Sequence, residues 1–161
     1  MVYNLNIHTN AKHRIYVTAS IKYIHPANEL NEVRVMVDTG CYNTMVPLWM
    51  AKRTGYNLGI NRSVVIGGTT GTGQLYALNM LHFGGCVIER AVVLAYPFPA
   101  ANELYDTILL GTNILNNWRY TIDRETGTFT FTENLPHFLP NKINPYQNYF
   151  NEAYEYVSVQ I

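Results

Sequence analysis

The chain has 161 residues, enough to bury one hydrophobic core, so we expect a single main domain. Its 11 Lys and Arg residues balance its 11 Asp and Glu residues and form no basic cluster, which excludes the charged surface of a nucleic-acid-binding protein. No apolar stretch approaches the length of a membrane span, and the first residues lack the pattern of a signal peptide, which predicts a cytoplasmic protein without a membrane partner.

The composition favours β-structure, because 13 tyrosines and many β-branched residues suit half-buried strands. Residues 14–23 alternate between apolar and polar side chains, which predicts a strand with one buried face. A turn at residues 25–28 leads to a second predicted strand, Val33–Val37, whose valines face away from Asp38. A helix of about two turns is expected between Pro47 and Gly55, since proline favours the first helical turn and glycine favours the end.

From residue 63 to residue 95 the sequence predicts strands broken by glycines, with a hairpin turn at Gly84-Gly85. Three more elements are expected: a buried strand at 107–110, a brief helix capped by Thr112 and extending to Trp118, and a hairpin with its turn at 123–127. Residues 133–148 differ in composition, being rich in Pro, Asn and aromatic residues. We expect residues 133–161 to form a C-terminal extension with an extended segment, a short helix and a terminal strand.

The most informative motif is Asp38-Thr39-Gly40, at the end of the strand Val33–Val37. The strand delivers a carboxylate, then a hydroxyl, then a glycine that can turn the chain sharply. The tripeptide alone is weak evidence, since it arises by chance in roughly a few per cent of chains of this length. An ordinary strand-end aspartate in a turn is the alternative interpretation. The segments that follow the motif therefore carry the argument.

Four segments follow the motif in a characteristic order. They are the helical segment 46–55, the glycine-rich segment Gly67-Gly68-Thr69-Thr70-Gly71-Thr72-Gly73, the segment 108–115 with its Leu109-Leu110-Gly111, and the hairpin at 120–131. Together with Asp38-Thr39-Gly40, this order resembles the retropepsin-like aspartic protease family, the single-domain relatives of the retroviral proteases. Cys41 departs from the family pattern, in which Ala or Ser is usual. The resemblance implies an all-β fold, a closed retropepsin-like barrel with one or two short helices, over residues 1–132.

The resemblance also implies an aspartic endopeptidase. Two neighbouring carboxyls share one proton, so that one takes a proton from water while the other polarises the peptide carbonyl. The chain holds a single Asp-Thr-Gly, so this chemistry needs a homodimer in which each chain contributes Asp38. The family resemblance implies that Thr39 braces the opposite subunit's loop, and Gly40 is expected to permit the turn. The expected partner is a peptide or protein substrate, and no cofactor is required.

The glycine-rich segment, residues 67–73, is predicted to be the tip of a mobile hairpin that closes over a bound peptide as a flap. Two nucleotide-binding interpretations fail. A Walker loop needs Lys followed by Ser or Thr, whereas Gln74-Leu75 follows here, and a dinucleotide fingerprint opens a helix rather than a strand. A flexible surface hairpin without a functional role is the alternative.

The other reactive side chains give weaker signals. The five histidines have no zinc-like spacing, so no metal site is expected. Cys41 has no implied histidine partner for nucleophilic catalysis and is expected to be a small packing residue. Cys41 and Cys86 are either two reduced thiols or joined in a disulfide. Asp106 and Asp123 are expected to satisfy turns. The main alternative function is a non-catalytic dimerisation or peptide-binding module with the same fold, and pairing with a different protein is also open.

Overall fold

The computed structural model describes residues 1–133, except Ala11, Thr39 and Gly67. This part of the chain forms eleven strands and two short α-helices, which confirms the predicted all-β class. The strands are β1 (Val2–Asn6), β2 (His8–Thr9), β3 (Ile15–Lys22), β4 (Leu30–Val37), β5 (Met45–Pro47), β6 (Gly55–Ile66), β7 (Thr69–Phe83), β8 (Cys86–Tyr96), β9 (Thr107–Leu110), β10 (Trp118–Asp123) and β11 (Thr128–Glu133), and the helices are α1 (Leu48–Thr54) and α2 (Thr112–Leu115). The helix and the terminal strand predicted after Glu133 lie outside the described residues.

Six strands close into a barrel in the order β3, β4, β9, β5, β8 and β7. The ring closes where β7 pairs with β3, for example Ile21 opposite Leu81. β4 and β9 run parallel, as do β5 and β8, so strands distant in sequence become neighbours. Closure leaves these six strands without a free edge. The predicted closed barrel is confirmed.

The barrel strands are buried on both faces. Val35 and Val93 pack inside the barrel, whereas their neighbours Met36 and Leu94 belong to a second apolar cluster on the other face. Strands covered on both sides carry continuous apolar sequence, which explains the unbroken apolar run at residues 91–96 in β8. The same cover accounts for one departure from the predicted alternation at 14–23. The alternation assigns Tyr16 to the same face as Arg14 and Thr18, which is the polar face, yet Tyr16 is buried in the second cluster.

A three-stranded antiparallel sheet packs beside the barrel, in the order β1, β11 and β10. Its inner face is aromatic: Trp118 stacks on Phe131 with ring centroids 4.0 Å apart, and Phe129 and Phe131 are buried. The turn between β10 and β11 spans residues 124–127, as the sequence predicts. This sheet brings the end of β10 close to the end of the barrel that carries Asp38.

The predicted helices are present with altered bounds. α1 begins after Pro47 and ends before Gly55, as expected. α2 is shorter than predicted and ends at Leu115; its N-cap is Gly111, and Thr112 is its first residue instead of its cap. β6 begins at Gly55, well before the strand predicted from residue 63. None of the described helices has both the length and the apolar character needed to cross a membrane.

Candidate active site

Asp38 lies immediately beyond the paired part of β4. Val37 is the last residue of β4 in register with β9, opposite Leu110, and the Asp38 N–H donates to the Leu110 carbonyl at 3.0 Å. The Asp38 carboxylate accepts a hydrogen bond from the Gly40 N–H, with Oδ1 and N 3.0 Å apart. Asp38 is half-buried. The barrel therefore holds this carboxylate at its rim, with one oxygen fixed by the backbone.

The loop that follows Asp38 is anchored by α2. It joins β4 to β5, and β9 lies between these two strands in the sheet. The Cys41 carbonyl accepts from the Thr112 N–H, and the Tyr42 carbonyl from the Asn113 N–H, both at 2.8 Å. A Cβ atom on Gly111 would lie 2.7 Å from the Asn43 carbonyl carbon and 2.8 Å from the Cys41 oxygen. Only glycine fits where the loop crosses the start of α2.

A buried polar network fastens the same loop from inside. Thr44 and Asn113 are almost fully buried, at 0% and 1% exposure. The Asn113 Oδ1 accepts from the Thr44 N–H at 2.9 Å and from the Thr44 Oγ1 at 2.8 Å, and the Gly111 N–H donates to Thr44 Oγ1 at 3.0 Å. Asn113 Nδ2 donates to the Val92 carbonyl at 3.1 Å. This network ties together the Asp38 loop, α2 and β8.

The structure changes the role expected of Gly40. Its backbone is outside the left-handed region, and a Cβ there would lie 3.4 Å from Asp38 Oδ1, an ordinary contact. The turn at this point therefore does not depend on the conformational freedom of glycine. The visible contribution of Gly40 is the N–H that it donates to Asp38. Thr39 lies outside the described residues, so its bracing role stays a prediction.

A cleft of about 470 Å³ opens beside Asp38. Its volume falls in the range of roughly 300–1,000 Å³ common for ligand pockets. Apart from Asp38, its lining combines apolar and basic side chains: Ile15, Met36, Val37 and Ile122, with His13, Arg14 and Arg124. None of residues 68–73 lines it. The cleft joins Asp38 to basic groups from the segment before β3 and from the β10–β11 turn.

Cys41 is a thiol beside the site. Burial raises the pKa of Cys41 from 9.0 to about 11, and the negative charge of Asp38 adds to the rise. The thiol donates to the Asn43 carbonyl, with Sγ and O 2.8 Å apart. These surroundings disfavour the thiolate that nucleophilic catalysis needs. Cys41 and Cys86 are not joined in a disulfide.

The glycine-rich segment is a hairpin, as predicted, but most of it is paired strand. Residues 69–73 belong to β7 and pair with β6, from Ile66 opposite Thr69 to Arg62 opposite Gly73. Gly68 has a left-handed backbone, φ 81°, which suits the turn, and Gly67 lies outside the described residues. A Cβ on Gly71 would meet the Tyr96 hydroxyl at 2.5 Å, and one on Gly73 would meet Leu94 Cδ1 at 2.8 Å. Because Gly71 and Gly73 have no side chain, Tyr96 and Leu94 can pack directly against the β7 backbone.

Asp123 satisfies a turn as expected: its Oδ1 accepts from the N–H groups of Glu125 and Thr126, at 2.9 and 3.2 Å. These backbone hydrogen bonds lower the pKa of Asp123. Within residues 1–133 as described, no three His, Cys, Asp or Glu side chains group as a metal site requires.

Sequence reasoning missed the supporting residues Asn113, Arg14 and Arg124. Asn113 gave a weak signal, because asparagine inside an otherwise apolar segment is seldom buried without several hydrogen-bond partners. Arg14 and Arg124 are 110 positions apart in the sequence, and nothing local indicates that both line the Asp38 cleft.

Comparison with known proteins identifies the family of the chain. A family model described as "gag-polyprotein putative aspartyl protease" matches residues 27–117, more than half of the chain. A crystal structure of a retropepsin-like aspartic protease from Rickettsia conorii matches with a TM-score of 0.52 and 16% identity, over 81% of this chain and 91% of that chain; this likeness concerns the fold. No curated protein matches the chain. The chain therefore belongs to the gag-polyprotein aspartyl protease family, within the retropepsin-like aspartic proteases.

Proposed function

We propose that this chain is an aspartic endopeptidase that acts as a homodimer, with Asp38 of each subunit activating water. The observation that carries the proposal is the position of the Asp38 carboxylate. It lies at the end of a barrel strand, accepts the Gly40 N–H at 3.0 Å and lines a cleft of about 470 Å³. An aspartate that only satisfies a turn, as Asp123 does, has no need of the network that anchors the Asp38 loop.

The chemistry follows from bringing two such carboxyls together. Mutual repulsion makes the pair share one proton, so that one carboxylate and one carboxylic acid face the bound peptide. The carboxylate takes a proton from water as the water oxygen attacks the peptide carbonyl carbon. The carboxylic acid donates its proton toward the carbonyl oxygen, which relieves the charge developing there. The resulting tetrahedral intermediate collapses when the amine leaves with a proton.

The chain supplies one carboxyl of this pair. Its single Asp-Thr-Gly makes the site incomplete in one subunit, which is why the proposal requires two copies related by a two-fold axis. Thr39 would then brace the opposite loop, and Gly40 would hold the carboxylate through its N–H.

The β6–β7 hairpin, with residues 67–73, is proposed as the flap over the substrate. Its tip carries exposed apolar surface, with Val65 72% exposed. Exposed apolar side chains at a hairpin end suit a segment that is covered when a peptide binds. The peptide would add as an extended strand, bonded through its backbone to the hairpin.

The test replaces Asp38 with asparagine. Asp38→Asn keeps the shape of the side chain and its capacity to accept the Gly40 N–H, but cannot take a proton from water. We expect peptide-library cleavage to be lost, with an unchanged melting temperature and an unchanged sedimentation coefficient. Asp106→Asn, at an exposed carboxylate in a short 3-10 turn, serves as the matched control and should retain full cleavage.

The outcomes separate the proposal from its alternative. Full cleavage by Asp38→Asn would refute the catalytic assignment. A wild-type protein that binds peptides as a dimer but cleaves none across the pH range would support the non-catalytic module. A wild-type protein that sediments as a monomer at every concentration would refute the homodimer.

A further inference from the structure

We propose that Arg14 and Arg124 form a specificity site for an acidic side chain of the substrate, glutamate in particular. The inference rests on the proposed function of Asp38, because it assigns the cleft beside that residue to the substrate. Both arginines line the cleft, together with apolar side chains and with Asp38 itself.

The turn that carries Arg14 is built by Asn10. The Asn10 side-chain oxygen accepts the N–H groups of Lys12 and Arg14, each at 3.0 Å, and its carbonyl accepts the His13 N–H at 2.9 Å. His13 takes a left-handed backbone conformation, with φ 60°, which is uncommon for a residue with a side chain. The direction in which this turn presents Arg14 is thus set by several local bonds.

The turn that carries Arg124 is fixed in a similar way. The Asp123 carboxylate accepts the Glu125 and Thr126 N–H groups and so holds the start of the β10–β11 turn. The Arg124 guanidinium reaches the His13 carbonyl, with Nη2 and Nη1 at 3.4 and 3.5 Å from the oxygen. The two turns therefore meet, and both arginines belong to one wall of the cleft.

The positive charge of this wall is not neutralised within the described residues. The ion pairs there are Lys12 with Glu103 and Lys22 with Glu29, and neither includes Arg14 or Arg124. The Arg14 Nη1 has a long contact of 3.6 Å with the Met36 sulfur. Asp38 is the one carboxylate among the lining residues, against two guanidinium groups. The cleft thus retains at least one uncompensated positive charge.

The lining selects the chemistry of the ligand. Guanidinium groups bind carboxylates through paired, charge-assisted hydrogen bonds. The apolar part of the cleft, from Ile15, Met36 and Ile122, suits an aliphatic stem. Glutamate combines a two-carbon stem with a terminal carboxylate. A substrate with glutamate close to the cleaved bond would satisfy the apolar side chains and the arginines together.

The experiment uses reduced-amide peptides, which cannot be hydrolysed, in pairs that differ only by Glu or Gln. Each pair places the residue at one position, from three before to three after the reduced bond, and binding to the full chain is measured by fluorescence anisotropy. We expect the Glu peptide to bind roughly tenfold more tightly at one position, and high salt to reduce the difference. Arg14→Gln and Arg124→Gln should each bring the ratio close to one.

Lys12→Gln is the matched control. It removes a cation from the same turn, but Lys12 does not line the cleft and lies 4.0 Å from Glu103. Its Glu/Gln ratio should equal that of the wild type. Equal binding of Glu and Gln peptides at every position would overturn the inference, as would a preference that survives both arginine substitutions. Dissociation of the dimer by Arg14→Gln and Arg124→Gln would also overturn it, by assigning these charges to the subunit contact.

Cleavage of the corresponding ordinary peptides separates this inference from the proposed function. Cleavage without a Glu preference would leave the protease proposal intact and refute the specificity site. Binding with a Glu preference that depends on both arginines, but with no cleavage of any peptide, would support the specificity site and refute the protease proposal.

Discussion

The Thr44 hydroxyl offers a sharp test of how the Asp38 loop is held. We expect Thr44→Val, which keeps the side-chain shape and removes the hydroxyl, to destabilise the fold strongly. Thr44 is fully buried; its Oγ1 accepts the Gly111 N–H at 3.0 Å and donates to Asn113 Oδ1 at 2.8 Å. Valine can make neither hydrogen bond.

The expected loss of stability follows from the polar groups that lose the Thr44 hydroxyl as a hydrogen-bond partner. The Gly111 N–H would be buried without a partner, which costs about 1–3 kcal/mol, and the lost bond to Asn113 adds about 1 kcal/mol. Asn113 Oδ1 keeps the Thr44 N–H at 2.9 Å, which limits the damage on that side. A loss of about 2–4 kcal/mol corresponds to a decrease of about 10 °C in the melting temperature of a chain of this size.

Thr54→Val provides the matched control. Thr54 is also fully buried, and its hydroxyl donates to the Met50 carbonyl at 2.7 Å within α1. Removing this hydroxyl leaves no N–H group without an acceptor, so the loss of stability should be about 1 kcal/mol or less. Melting is followed by circular dichroism at equal protein concentrations, because the proposed dimerisation would make the transition concentration-dependent. Equal shifts for the two variants, or no shift for Thr44→Val, would refute the reasoning.

Three further predictions concern other parts of the molecule. Gly111→Ala should destabilise the fold by about 3 kcal/mol, because the new Cβ would lie 2.7–2.8 Å from backbone atoms of Asn43 and Cys41. Gly85→Ala should be tolerated, because the nearest atom to its Cβ is 3.5 Å away. Similar melting temperatures for the two variants would contradict this prediction. Cys41 should react with iodoacetamide about a hundredfold more slowly in the folded chain than in the unfolded chain, because burial and the charge of Asp38 raise its pKa to about 11, and peptide mass spectrometry measures the two rates. Burial and the charge of Lys22 lower the pKa of His82 below 6.5, so the unfolded chain binds a proton first as the pH falls. The free energy of unfolding should therefore decrease as the pH falls through 6.5. A denaturant series in which His82→Gln shows the same loss would remove His82 as the cause.

Local sequence was sufficient for most of the strands and for the position of the candidate carboxylate. The alternation at 14–23, the valines of β4 and the glycines at 84 and 85 each express a preference of adjacent residues, and β4 therefore leads to Asp38 as predicted. The closed barrel followed from the family resemblance, which depends on the order of several segments. α2 was placed correctly but its length was not, because Trp118, its expected last residue, begins β10 and pairs with β11.

The tertiary structure alone decided which distant residues surround Asp38. Thr44 and Asn113 are 69 positions apart and meet because β9 inserts between β4 and β5, a pairing that no local pattern encodes. Gly71 and Gly73 suggested a mobile tip, yet they lie in a paired strand, where the absence of a side chain admits Tyr96 and Leu94. Arg14 and Arg124 come together because the three-stranded sheet packs the β10–β11 turn against the segment before β3. Periodicity reports only which face of an element is buried, whereas the composition of a cleft depends on which elements pack side by side.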